Sequence, residues 1–99
     1  MAAYVATKAA VSALTRGAAL DHIADNVRIN AISPGPTETT MSLRPGESEA
    51  DRARRLAEVN PSGRAATVDE IVAAVLWLCS PRSSYVVGHD LVVDGGATA

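Results

Sequence analysis

Ninety-nine residues, 47% of them hydrophobic and 20% charged, with a formal net charge of −2 at pH 7, describe an ordinary globular chain of at most one domain and exclude a disordered or fibrous one. With no basic stripe to neutralise phosphates, nucleic acid is not an expected partner. No membrane is expected either: the longest apolar run, Ile71–Cys79, is about half of the roughly 20 residues a bilayer span needs, and Met1 is not followed by the basic-then-apolar order of an export signal.

From Ala2 to about Ala24 there is no proline and much alanine, with Val5, Ala9, Leu14 and Ile23 among polar positions; this predicts a helix, closed by the turn chemistry of Asp25-Asn26. Val27–Ser33 reads as a strand, interrupted by Arg28 and Asn30 and ended by Pro34-Gly35-Pro36. Thr37–Gly46 lacks periodicity and is expected to be a loop. Glu47–Val59 is charge-rich, with Leu56 and Val59 to one side and Asp51 spaced to pair with Arg55. It predicts a short surface helix on which Arg52, Arg54 and Arg55 form a solvated face. Asn60-Pro61-Ser62-Gly63 breaks it. Thr67 opens a capping box with Glu70, and Val68–Cys79 follows as a strongly apolar helix stopped by Ser80-Pro81. Ser83-Ser84 reads as a turn, Tyr85–Val87 as a short extended piece and Gly88 as a bend. Leu91–Val93 reads as a buried strand that ends at Asp94-Gly95-Gly96.

This order of elements is half of an α/β layer architecture, in which parallel strands are joined by right-handed helical crossovers. Two strands do not make a sheet with both faces covered, so the fold is expected to be incomplete on its own: a single partial domain over residues 1–99. The lone cysteine, Cys79, can form no internal disulfide, and with His22 and His89 it shows no metal-ligand spacing; no metal is expected, and a reducing cytoplasm is the expected compartment. His22, His89, Cys79 and Trp77 read as solvent-facing or core residues.

Tyr4 and Lys8 stand four apart on the first helix and so share one face. A phenol titrates near 10, and a cation within about 4–6 Å favours its ionised form. Such a tyrosine can exchange a proton with an alcohol or carbonyl oxygen while hydride moves to or from a nicotinamide. The bare pair also arises by chance as an exposed pair or a snorkelling lysine.

Context adds to it. Tyr4-Val5-Ala6-Thr7-Lys8-Ala9-Ala10-Val11, then Val27-Arg28-Ile29-Asn30-Ala31-Ile32-Ser33-Pro34-Gly35-Pro36, then Asn60-Pro61-Ser62-Gly63-Arg64 and Leu91-Val92-Val93-Asp94-Gly95-Gly96 together resemble the C-terminal part of the short-chain dehydrogenase/reductase family in type, order and separation. The resemblance covers nearly the whole chain and is weakest between Ser42 and Val59. It implies the C-terminal portion of a Rossmann-type doubly wound parallel sheet: two strands, two long helices and a short lid helix, with a lid-like region at about 40–64.

It further implies Tyr4 as catalytic acid/base and Lys8 as its electrostatic partner and a ligand of the nicotinamide ribose. Pro34 and Gly35 would bring backbone close to the nicotinamide, and the Thr37 backbone and Thr39 hydroxyl would hold its carboxamide. The cofactor would be NAD or NADP and the substrate a small alcohol or carbonyl compound. The family's Gly-rich phosphate turn, its catalytic Ser and the Asn of the preceding helix would fall before Met1, as would the residue that separates NAD from NADP. The chain is therefore expected to be either a piece of a longer enzyme or a short protein, with weak or no cofactor binding and little activity alone. The alternative is a non-catalytic association module, since the family assembles through its last helices and final strand; a homo-oligomer is expected.

Overall fold

Alanine-rich and free of proline, residues Ala2–His22 form helix α1, as their propensities require. A 3₁₀ turn at Ile23–Asp25 tightens its end, and Asn26, the one non-glycine residue at positive φ (60°), closes it in the left-handed conformation that asparagine tolerates. The structure, a computed structural model, describes all residues from Met1 to Ala99. The remaining elements are strand β1 (Ala31–Pro34), helix α2 (Glu49–Val59), helix α3 (Val68–Cys79) and strand β2 (Asp90–Val93). The α/β class expected from sequence is the class observed. No helix is long and apolar enough to cross a membrane.

The chain forms two compact units, Met1–Ile32 with Leu76–Leu91, and Ser33–Val75 with Val92–Ala99; β1, α3 and β2 each run from one into the other. The two strands pair: the Ala31 amide donates to His89 O at 2.8 Å and, four residues further along both, the Gly35 amide donates to Val93 O at 2.9 Å. Equal steps in the same direction make the pair parallel.

In the first unit α1 is largely exposed; only Thr15 and Ala19 are buried. Gly88, at φ 68°, approaches it so closely that an added Cβ would lie 3.4 Å from Ala19 Cβ. The strand expected from Val27 begins only at Ala31, because the preceding residues are held by other bonds. Ile29 O accepts from the Gly88 amide at 2.9 Å. Asn30 uses its side-chain amide as a short piece of ladder, donating from Nδ2 to Val86 O at 3.0 Å and accepting the His89 amide on Oδ1 at 2.9 Å. Arg28 spreads its guanidinium over five acceptors where α3 ends: Nη2 donates to Leu78 O and Ser80 O, both at 3.1 Å, and Nη1 to Ser83 O at 2.9 Å, Ser83 Oγ at 3.2 Å and Val86 O at 3.2 Å. The last carbonyls of a helix lack intrahelical partners, and this arginine supplies one from some 50 residues away in sequence.

In the second unit α2 starts at a capping box. Ser48 Oγ accepts the Asp51 amide and Asp51 Oδ2 accepts the Ser48 amide, both at 3.1 Å. Leu56 is buried as expected, but Val59 is 68% exposed. The expected Asp51–Arg55 pair does not form: Asp51 pairs with Arg54, and Arg55 reaches back to Glu47, Nε to Oε1 at 2.8 Å. The capping box at α3 forms as read, the Thr67 amide meeting Glu70 Oε2 at 2.8 Å and the Glu70 amide meeting Thr67 Oγ1 at 3.2 Å. Buried apolar side chains in the whole chain come down to Ala19, Leu56, Ala65 and Leu78, a small core for this length.

Candidate functional site

Tyr4 and Lys8 come together on α1, one turn apart and both exposed. The lysine ammonium lies over the aromatic face, Nζ 5.5 Å from the ring centroid, a cation–π arrangement that follows from i, i+4 spacing on a regular helix. The turn is also tied by the Thr7 hydroxyl, which donates to Tyr4 O at 2.9 Å.

A second group gathers at the end of β1. Pro34 is exposed and closes the strand. Gly35 follows where the chain passes so close to Asp94 that an added Cβ would sit 2.6 Å from Asp94 Cα and 2.7 Å from its Cβ. The glycine is thus required by packing within the unit, a reason distinct from the nicotinamide approach expected from sequence. Thr37 donates its hydroxyl to Gly35 O at 3.0 Å and makes a parallel bridge with Ala66, in which Ala66 N meets Pro36 O at 2.8 Å and Glu38 N meets Ala66 O at 2.9 Å. Thr39 is exposed, its amide donates to Thr37 O at 2.7 Å, and a 3₁₀ turn at Thr40–Ser42 begins directly after it. Tyr4 and Lys8 belong to the first unit, and Gly35, Thr37 and Thr39 to the second.

Arg52 corrects the reading of α2. It is 9% exposed rather than part of a solvated face, and its Nη1 donates to Thr39 O at 3.1 Å and to Ser42 Oγ at 2.9 Å. The signal was present in the spacing, since position 52 is one helical turn before the inward-facing Leu56. Arg52 also lines an open cleft of about 480 Å³ with Glu38, Thr39, Thr40, Leu43 and Glu49.

Three carboxyls of the second unit, Glu47, Glu70 and Asp94, are held below the ordinary carboxylate range. The Arg55 guanidinium and the Arg44 amide hold Glu47 down to about 2, and Arg64 with the Thr67 amide does the same for Glu70. Asp94 is lowered chiefly by the Thr98 hydroxyl, with the amides of Gly96, Thr98 and Ala97 adding to it. Asn60, read in the sequence as the start of the break after this helix, is buried where α2 ends: its Nδ2 donates to Ser62 Oγ at 2.7 Å and Arg64 O at 3.0 Å, while its buried Oδ1 has no partner. Cys79 and His89 are exposed, and no group of three or more acidic, histidine or cysteine side chains is placed to hold a metal ion.

A family model described as Enoyl-(Acyl carrier protein) reductase matches residues 1–98. The chain is 43% identical over 97 residues to an A-factor type gamma-butyrolactone 1'-reductase (1S-forming) from Streptomyces virginiae, covering 98% of this chain and 38% of that protein. Among solved structures it is similar to a 4-hydroxyisoleucine dehydrogenase complexed with NADH, with TM-score 0.85, 30% identity and coverage of 98% of this chain and 40% of that one. It is also similar to a blue fluorescent protein from a metagenomic library in complex with NADPH, with TM-score 0.82, 35% identity and coverage of 97% and 37%. The chain spans little more than a third of the length of the curated relatives it matches.

Proposed function

Because the chain belongs to the short-chain dehydrogenase/reductase family of oxidoreductases, we propose that it carries the proton-transfer pair and the nicotinamide-side segment of an enzyme moving hydride between NAD or NADP and a small alcohol or carbonyl compound. The observation that carries this reading is the Tyr4–Lys8 pair, joined a turn apart on an exposed helix face. In the reducing direction Tyr4 donates its hydroxyl proton to the substrate oxygen as the carbonyl carbon accepts hydride; in the oxidising direction the phenolate takes the alcohol proton back. Lys8 keeps a positive charge against the ring while negative charge develops there. A nicotinamide, when bound, supplies or receives the hydride. The residues at the end of β1 suit its carboxamide: the exposed Thr39 hydroxyl can both donate and accept, and the Thr37 backbone adds further polar groups. The region at about 40–64 serves as the substrate lid of a single partial domain spanning 1–99, at work in the cytoplasm.

The 99-residue chain is assayed alone with NADH and NADPH against a panel of ketones and alcohols, and is expected to be inactive or nearly so. It is then exchanged for the matching segment of the Streptomyces virginiae reductase. The chimera is expected to turn over, and Tyr4→Phe to lower its kcat by roughly 10²–10⁴ while cofactor binding is retained. A Tyr4→Phe chimera with unchanged kcat would sink the reading.

Self-association is a second reading, favoured by the exposure of Val5, Val11, Leu14 and Leu20 along α1. Light scattering on the eluting peak of a size-exclusion column reports it, and a monomer at all concentrations counts against it.

A further inference from the structure

Resting on the assignment of residues 40–64 to the substrate lid, we propose that Arg52 is the oxyanion-binding residue of that lid, taking a carboxylate or phosphate group in the cleft beside Thr39. The argument starts from charge pairing. Arg54, Arg55 and Arg64 each have a carboxylate partner, in Asp51, Glu47 and Glu70. Arg52 is buried more deeply than any of these and has none within ion-pair distance; its protein partners are a carbonyl and a hydroxyl, both reached from Nη1. A guanidinium carries five N–H donors in a planar fork, so Nε and Nη2 retain theirs for another acceptor. A largely buried charge without a counter-charge is costly, and an anion placed on the remaining fork would offset that cost.

The cleft gives such a group a place to sit. Its wall next to Arg52 is Thr39 and Thr40, of which Thr40 can donate its hydroxyl to an oxyanion, and Leu43 supplies an apolar side for a short carbon chain. Glu38 and Glu49 also line it but are exposed, where water and salt screen them. They repel a second negative charge, which favours a monoanion over a dianion. A carboxylate held here would belong to the substrate, making it a small hydroxy or oxo acid; a phosphate held here would belong to the dinucleotide.

The two sources separate in a titration of the ¹⁵N-labelled 99-residue chain, without nicotinamide, by propionate, 2-oxobutyrate and inorganic phosphate in turn. Saturable shifts at the Thr39, Thr40 and Leu43 amides and at the Arg52 Nε–H support the site. Tighter binding of the two carboxylates marks a substrate group, and tighter binding of phosphate a cofactor group. Arg52→Gln is expected to weaken the binding by roughly 10–100-fold, the range of a lost charge-assisted contact. Arg52→Lys should recover part of it, and Arg54→Gln, which does not line the cleft, should leave it unchanged. Should Arg52→Gln not fold, the position of the shifts in the unaltered chain decides. Absence of shifts at these four groups at concentrations on the order of 10 mM overturns the proposal, as does equal binding by Arg52→Gln and the unaltered chain. Because the titration contains no nicotinamide, its failure leaves the Tyr4 result untouched, and the reverse also holds.

Discussion

Replacing Arg28 by methionine keeps the length and apolar stem of the side chain and removes five donor contacts. The size of the effect depends on what those acceptors keep. Leu78 O retains the Ser83 hydroxyl at 2.9 Å, Ser80 O retains the same hydroxyl at 3.1 Å and the Ser83 amide at 3.2 Å, Ser83 O retains the Val86 amide at 2.9 Å, and Val86 O retains Asn30 Nδ2 at 3.0 Å. None is orphaned, so the full desolvation penalty of a buried unpaired acceptor does not apply. What is lost is a set of second bonds to a cation, at about 0.5–1 kcal/mol each, and with five of them Arg28→Met should cost about 2.5–5 kcal/mol. That is a large fraction of the roughly 5–15 kcal/mol by which native domains are stable. Urea unfolding followed by circular dichroism gives the total, and amide exchange locates it: Ser83, Val86 and Gly88 should exchange faster, since the first two amides close turns that Arg28 braces and the third bonds Ile29 O, next to Arg28 in the chain. A loss below about 1 kcal/mol with unchanged exchange at these three amides would refute the reasoning, because it would mean that the second bonds contribute nothing.

Two glycines should respond in opposite directions. Gly35→Ala forces a Cβ to within 2.6 Å of Asp94 Cα and should destabilise by about 1–3 kcal/mol, with weakening of the Gly35 amide to Val93 O bond visible as faster exchange. Gly17→Ala lies mid-helix in α1 with nothing within 4 Å of the new Cβ, and should stabilise by about 0.8–1 kcal/mol in the same unfolding assay. In acid, Glu47 and Glu70 have folded values of about 2 against an ordinary 4.5. Since the folded values are the lower ones, the stability these carboxylates lend is fully present above pH 4.5 and is lost as pH falls through 4.5 towards 2. Carboxyl carbon shifts should show both titrating late, and Glu70→Gln should flatten the decline in that window.

The features visible in the sequence were those generated by near neighbours along the chain. Alanine content predicted α1, the Thr67–Glu70 spacing predicted the start of α3, and the Pro-Gly clusters marked the breaks. Each rests on contacts within about four residues, where spacing translates directly into geometry. The paired motifs around Tyr4 and Pro34 were legible in the same way, as residue types in order. Arg28 and Asn30 were read as interruptions of a strand, and the structure makes them its anchors. Their partners lie 50 to 59 residues away, and nothing in local periodicity records a bond of that span. Arg52 was misread for a different reason. A charged residue on a charge-rich helix is assigned to solvent by composition, although its register with Leu56 placed it inward.

Gly35 shows why agreement between a motif and a fold does not by itself identify a binding site. Two reasons for a glycine meet there: the proposed approach to a nicotinamide, which the family resemblance implies, and the approach to Asp94 seen in the structure. The second suffices to exclude any Cβ, with or without a cofactor, so loss of function in Gly35→Ala could arise from unfolding alone. Lys8 and Thr39 behave differently. Their side chains are exposed, the Lys8 ammonium touches only the Tyr4 ring and the Thr39 backbone rather than its hydroxyl makes the contact to Arg52, so truncating either disturbs little of the packing. Lys8→Met and Thr39→Val, compared with Gly35→Ala in the chimera, should raise the KM for NADH or NADPH with the stability of the parent retained, whereas Gly35→Ala should lower stability before any kinetic constant changes. If Thr39→Val and Lys8→Met left that KM unchanged, the end of β1 would be a packed turn and the nicotinamide segment would have to be sought elsewhere in the chain.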